Sequence, residues 1–429
     1  MKSSFQTILV VVFVVAFGAA VFVFSGLASF GNKNGTSSTP QGNVTIWGIL
    51  PQNNIDQYIS NFNIGSSYTL QYSQHDPATI SQDLVVALAN GAPPDIILFS
   101  SELFAQFRDK LYTVPYAAYS ERTYRDTNID GAQVFLTKDG AVGLPLIVDP
   151  VVVYYNKDLI AQASFVIPPE TWANLQQSVP LLTKRDSRNN ITQSAVALGT
   201  AQNIAHFKDI LSTLFMQTGA SVVAYNPVSD SYNASFGNEA STATVPAVQA
   251  LDFYTSFSNP TNTNYSWNNA LPNSLDYFLA GKSVFYIGRA SELFAIQARN
   301  PNLNFDVSEV FQTDANARPI TFGSFIAVGM LKNAPNPVAA YAAMQYLSSA
   351  TSIDAFSKAF SLPPVRRDLL LVAQSNPYVA IFFKAALSAF AWPDPHPAQS
   401  DEVFRTMVTD VTSGRSTADS ALYDASKSL

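Results

Sequence analysis

Residues 90–100 read NGAPPDIILFS, and the fold class hangs on them. Ile96, Ile97, Leu98 and Phe99 are four apolar residues in succession. A strand without polar alternation has both faces covered, as in a parallel sheet between layers of helices. Gly91 closes a helix just before it as a C-cap, and Pro93 and Pro94 prevent that helix from continuing.

Upstream, Asp76 and Pro77 stand as N-cap and first residue of a helix carrying Ile80, Leu84, Val85 and Leu88. A strand over 68–72 comes before it. Earlier still lie a strand over 44–49 (VTIWGI) and helical spacing at Ile55, Ile59 and Phe62. Repeated β-α units predict an open α/β domain whose ligands lie at the carboxyl ends of the strands. Downstream, a second block opens after Asp149 and Pro150 with a strand over 151–155. A helix introduced by Pro168, Pro169 and Thr171 follows, then helices around 210–216 and 248–257 and strands over 284–287 and 320–328. Helices over 337–348 and 417–426 complete the chain.

A chain of 429 residues, 47% of them hydrophobic, exceeds one ordinary core and fills two. With 24 Lys and Arg against 31 Asp and Glu, the net charge is -7, which leaves no electrostatic basis for binding nucleic acid. There is no cysteine, so disulfides, thiolate metal sites and a lipoprotein thioether are excluded. The three histidines, His75, His206 and His396, fit no metal-ligand spacing. No Gly-x-Ser-x-Gly elbow or phosphate-cradling glycine loop is present. We therefore expect no catalytic residues, no metal and no cofactor.

The uncharged run over residues 8–30 measures about 34 Å as a helix at about 1.5 Å per residue, enough to span a bilayer. Lys2 on its N-terminal side places the N-terminus in the cytoplasm and the rest outside. Residues 1–30 are thus read as a single transmembrane anchor, with a cleaved signal segment as the alternative because Gly26 and Ala28 offer small residues at cleavage spacing. Residues 31–42 (GNKNGTSSTPQG) form a polar linker.

Four stretches together resemble one family. They are residues 90–100, GLPLIVDPVVVYYNKDL at 143–159, PPETWANL at 168–175 and SGRSTADSALYDA at 413–425. In order and spacing they are similar to the extracellular solute-binding proteins of ABC importers, of the maltose-binding-protein type. The resemblance implies a two-lobed, periplasmic-binding-protein-like clamp with discontinuous lobes joined by hinge crossings. One lobe would hold 43–148 plus 306–348, the other 149–305 plus 349–429. It also implies a carbohydrate ligand and an ABC permease in the membrane as partners, beside the lipid bilayer that holds the anchor. An anchored extracellular glycan hydrolase and a ligand-sensing ectodomain remain the alternatives.

Carried over by position, the resemblance implies ligand contacts at Pro51 and Gln52 after the first strand, at Glu102 after the 96–99 strand, and at Asp149 in the first crossing. Carboxylates and amides bind sugar hydroxyls in pairs, and aromatic faces cover the apolar side of the ring. Tyr154 alternates with Tyr155 across its strand, so one of the two faces the ligand side. Residues 280–290 (AGKSVFYIGRA) depart from the family pattern, with Ala290 in place of an aromatic and Arg289 before it. Arg289 offers a planar fork for a carboxylate or phosphate, or else an ion pair. Asp401 replaces another family aromatic. Trp392 is a candidate stacking face, Phe325 a further cleft residue, and Trp47 a core residue.

Overall fold

The computed structural model describes residues 42–63, 67–226, 228–229, 231–236 and 244–429. The expected anchor over 8–30 lies outside the described residues, as does the linker apart from Gly42. Among the described residues no helix is long and apolar enough to cross a membrane.

One mixed sheet runs through the molecule. Its strands are Gly42–Gly48 (β1), Tyr68–Gln74 (β2), Ile96–Ser100 (β3), Leu144–Asn156 (β4), Lys184–Arg185 (β5), Ile191–Val196 (β6), Ser283–Arg289 (β7), Phe305–Glu309 (β8), Thr321–Met330 (β9) and Ala389–Phe390 (β10). The order is β2-β1-β3-β9-β4-β7-β6-β5, with β8 added beside β4 and β10 beside β9. All five residues of β3 are buried, as its unbroken apolar run requires. Asp95 just before it is buried too, accepting from the N–H of Thr45 (2.9 Å), the Thr45 hydroxyl (3.0 Å) and the N–H of Asn336 (2.7 Å). The Pro-Pro-Asp step thereby ties β1, β3 and the start of helix Pro337–Leu347 together.

Strand β4 explains the architecture. Its residues 144–150 pair with β9, and its residues 151–155 pair with β7. The change of partner falls at Pro150, which has no N–H to give a ladder. Opposite Pro145 the register slips between Ile326 and Ala327, the same defect met at the other end of the segment. Three blocks of core lie along this strand. Trp172, Leu211, Phe215, Trp267 and Phe404 pack in one, Phe99, Phe104, Phe107, Phe135 and Phe325 in a second, and Leu70, Leu146, Tyr154, Tyr286 and Met344 in a third.

Two expected divisions are displaced. Strand β8 pairs with residues 152–156 of β4, so the chain crosses back only between Glu309 and Thr321, not at 305/306. Helix Ala350–Phe360 packs on helix Gln52–Asn63, with Phe356 edge-on to Tyr58 at 5.0 Å, so 348/349 is no crossing either. Ser349 caps the second helix directly after the first, and β10 then joins β9 before Trp392 enters the core around Phe215. A helix start was also misplaced: Ile80–Ala89 begins after Thr79, because Asp76 accepts from the N–H of Ala78 and forms its own turn.

Candidate ligand-binding site

The carboxyl ends of β3 and β7 meet over the crossing strand. Glu102 lies in the single turn after β3, and Arg289 is the last residue of β7. The Arg289 Nη2 donates to Glu102 Oε1 at 3.3 Å. The other Glu102 oxygen accepts from the hydroxyls of Ser324 (2.8 Å) and Ser101 (3.1 Å). Behind Arg289, its Nε donates to Asp209 Oδ2 at 2.8 Å. His206 lies 3.4 Å from Asp209 through Nδ1 and 3.1 Å from Glu292 through Nε2. Glu292 also accepts from the Tyr286 hydroxyl and the N–H of Arg289, both at 2.9 Å. Charges therefore alternate along the row Glu102, Arg289, Asp209, His206, Glu292.

Each member perturbs its neighbours. Burial alone would lower the His206 imidazolium, but its bonds to Asp209 and Glu292 outweigh that and raise it to about 9. Burial would raise Asp209, yet Arg289 and His206 hold it well below the usual carboxylate range. Burial likewise acts against Glu292, and His206 still holds it low. Arg289 resists its burial through Asp209 and Glu102 and is raised. His206 starts helix Phe207–Gln217 with φ 56°, a left-handed conformation that a non-glycine residue adopts at a cost of about 1–3 kcal/mol. Its two acidic partners hold it there.

A cavity of about 380 Å³ opens against this row, lined by Glu102, His206, Asp209, Arg289, Phe322 and Trp392 among others. Trp392 is 6% exposed, donates its indole N–H to Ser212 Oγ (3.0 Å) and stacks on Phe404 at 6.1 Å. Lys208 stands 5.2 Å from its ring centroid and bonds Asp394 at 2.7 Å. The cavity is thus floored by ionised groups and walled by aromatic rings.

Of the residues singled out from the sequence, Glu102, Arg289 and Trp392 come together here. Asp149 lies beside them but is buried, its two oxygens accepting from the N–H (2.9 Å) and hydroxyl (2.6 Å) of Ser291. Burial raises its carboxyl above the usual range, against the pull of Arg289. Tyr154 and Phe325 are fully buried core residues. The Tyr154 hydroxyl donates to the carbonyl of Arg289 at 2.8 Å, and Phe325 fills the space left by Gly131, where an added Cβ would come within 2.5 Å of its ring. Both strands are covered on two faces, so alternation along β4 does not aim Tyr154 at a ligand. Pro51 and Gln52 do not line the cavity; Gln52 and Gln74 exchange main-chain to side-chain bonds at 2.9 Å. Asp401 does line it, paired with Arg405. Trp47 is half-buried and stacks on His75 at 4.0 Å. His206, Asp209 and Glu292 went unread. Only the three-residue spacing from Arg289 to Glu292, the reach of a helix-start bond back to the N–H, hinted at one of them.

A separate cavity of about 310 Å³ lies among Val114, Tyr119, Leu144, Tyr341, Met344 and Ile353. Its walls include no residue of β7 or of helix Phe207–Gln217, so an occupant there touches neither Arg289 nor Asp209. Among the described residues, no group of three His, Cys, Asp or Glu side chains is placed to hold a metal ion.

The sequence profile of the bacterial extracellular solute-binding proteins matches residues 57–382, well over half of the chain. The chain belongs to that family. No sequence among curated proteins matches this solute-binding protein. Its fold is that of solved two-lobed clamps. A cyclo/maltodextrin-binding protein complexed with maltotetraose superposes with a TM-score of 0.72 at 18% identity, covering 92% of this chain and 97% of that one. The cyclic alpha-maltosyl-1,6-maltose binding protein from Arthrobacter globiformis gives 0.70 at 18% identity, covering 90% and 97%. The GacH receptor of Streptomyces glaucescens GLA.O, solved unliganded and with acarbose, gives 0.65 at 18% identity, again covering 90% and 97%.

Proposed function

We propose that this solute-binding protein captures a sugar or oligosaccharide in the cavity between Glu102 and Arg289 and delivers it, unchanged, to an ABC-type permease. The supporting observation is the pairing of Glu102 at the end of β3 with Arg289 at the end of β7, a polar contact that spans the crossing. A ligand bonded to both ends stabilises the closed arrangement by its differential affinity, and hinge bending follows. Strand β4 and the chain on either side of β9 would serve as the hinge crossings.

The charges favour a neutral, hydroxyl-rich ligand. Arg289 already faces two carboxylates, so an anion would have to displace one of them. A diol instead accepts from the guanidinium and donates to Glu102 without changing the charge count, while Trp392 and Phe322 offer apolar edges. Solved proteins of the same fold, complexed with maltotetraose and with acarbose, agree in ligand class. Residues 8–30 are assigned as the membrane anchor that keeps the folded part outside the cytoplasm.

Thermal unfolding of the full-length protein in detergent, recorded against sugars, amino acids and phosphate esters, tests the proposal. A sugar at 100 times its dissociation constant should add about 2.7 kcal/mol of stability, and should be recovered unaltered. Stabilisation by anionic compounds alone, or steady consumption of a glycan, would overturn it.

A further inference from the structure

The separate cavity of about 310 Å³ takes no part in the site between Glu102 and Arg289, yet its walls specify an occupant. Tyr341 lines it from helix Pro337–Leu347, and Tyr119 from the chain just before helix Glu121–Thr127. Each ring is held in place by another aromatic. Tyr124 lies 5.7 Å from Tyr119 between centroids, and Tyr112 stands edge-on to Tyr341 at 6.2 Å. Leu144 at the foot of β4, Met344 and Ile353 complete the apolar part of the wall. An apolar cavity of about 150 Å³ is enough to hold a benzene ring, so this one has room for a ring with substituents.

One polar group in the wall is left incomplete. Helix Glu121–Thr127 ends at Asn128, whose side chain lines the cavity and which is 5% exposed. Its main-chain N–H and its side-chain amide both donate to the Tyr124 carbonyl at 3.0 Å. Its Oδ1 accepts no bond from any described residue. An amide oxygen only accepts, so an occupant that completes Asn128 must bring a donor. The charge of the occupant is restricted as well. Arg366 is the one charged residue in the wall among the described residues, and its Nε and Nη2 already donate to Asp368 at 3.0 and 2.9 Å. With that charge matched, the cavity offers no partner to an ionised ligand, and burying an unpaired charge is costly.

We propose that this cavity is a second ligand site, for a small neutral molecule that carries an aromatic ring and one hydroxyl or N–H donor, a phenol in its simplest form. The ring lies between Tyr119 and Tyr341 and against Met344, in reach of the edge and offset contacts that aromatic pairs prefer. Its donor is spent on Asn128 Oδ1. No lining residue is shared with the cavity beside Arg289, so the assignment is independent of the sugar reading and goes beyond it: the protein takes two chemically different ligands at two places.

The test is a fluorine NMR titration of the full-length protein in detergent with 4-fluorophenol and 4-fluoroanisole, against a blank of detergent alone. The two probes share a ring, but the methyl ether has no donor. The wild-type protein binds the phenol about fivefold more tightly than the ether, the scale of one hydrogen bond. Asn128→Ala removes the acceptor and brings the two affinities together. Ala118→Phe, placed on the exposed rim of the cavity, blocks the entrance without touching Asn128 and abolishes binding of both probes, while its melting temperature shows that the fold is kept. A wild-type protein that binds neither probe, or binds both alike, overturns the site, and so does an Ala118→Phe protein that binds them unchanged.

Discussion

The two sides of Arg289 are built differently. Behind it, Asp209, His206 and Glu292 are largely buried, bonded to one another and to Tyr286, and every charge has a fixed partner. In front of it, Glu102 is about as buried as His206, but its one bond to the guanidinium is long at 3.3 Å. The rear fixes where the guanidinium points; the front can exchange its partner for a ligand. In a low-dielectric site a charge whose partners are fixed aims its free donors without reorganisation, and Asp209 confers this on Arg289.

That contrast is open to attack from either side. The largest effect belongs to the rear: Asp209→Ala leaves two buried cations facing each other, and urea titration should show a stability loss of about 3 kcal/mol. The pH dependence comes next. His206, raised to about 9 from about 6.5, contributes stability that is complete below about pH 6.5 and is lost as pH rises through about 9. Asp209 and Glu292, both held low, contribute stability present above about pH 4.5 and lost as pH falls further. The melting temperature should peak between those limits, and His206→Gln should flatten the alkaline limb.

The front behaves in the opposite way. Glu102→Gln should weaken sugar binding about tenfold while shifting stability by less than about 1 kcal/mol, because the bond to Arg289 is long and the amide oxygen still accepts from Ser324 and Ser101. Calorimetry and unfolding on the same sample separate the two. The smallest effect is expected for Tyr154→Phe, which removes one hydroxyl bond to the Arg289 carbonyl. A loss of about 1 kcal/mol in stability with unchanged affinity would confirm that Tyr154 supports the site from the core.

Much of the fold was legible in residue order. The apolar run before Ser100 and the prolines within β4 act over a few residues, and their local consequences carry through to the sheet. The crossings were less legible, since helix Pro337–Leu347 is followed by another capped helix with no compositional break. In the site, Glu102 and Arg289 could be read because each ends a strand. His206 and Asp209 could not: they face Arg289 across about 80 residues of chain, and nothing in HFKD at 206–209 marks a left-handed start. Tyr154 was misread for the opposite reason, because alternation along a strand has meaning only when one face is open.

The central claim is that a sugar lies between Glu102 and Arg289, and a crystal structure with the most stabilising sugar tests it most directly. The account predicts ring hydroxyls within hydrogen-bond distance of both side chains, with Asp209 still bonded to Arg289. Sugar density in the cavity between Tyr119 and Tyr341, with the Glu102 to Arg289 pair undisturbed, would contradict it.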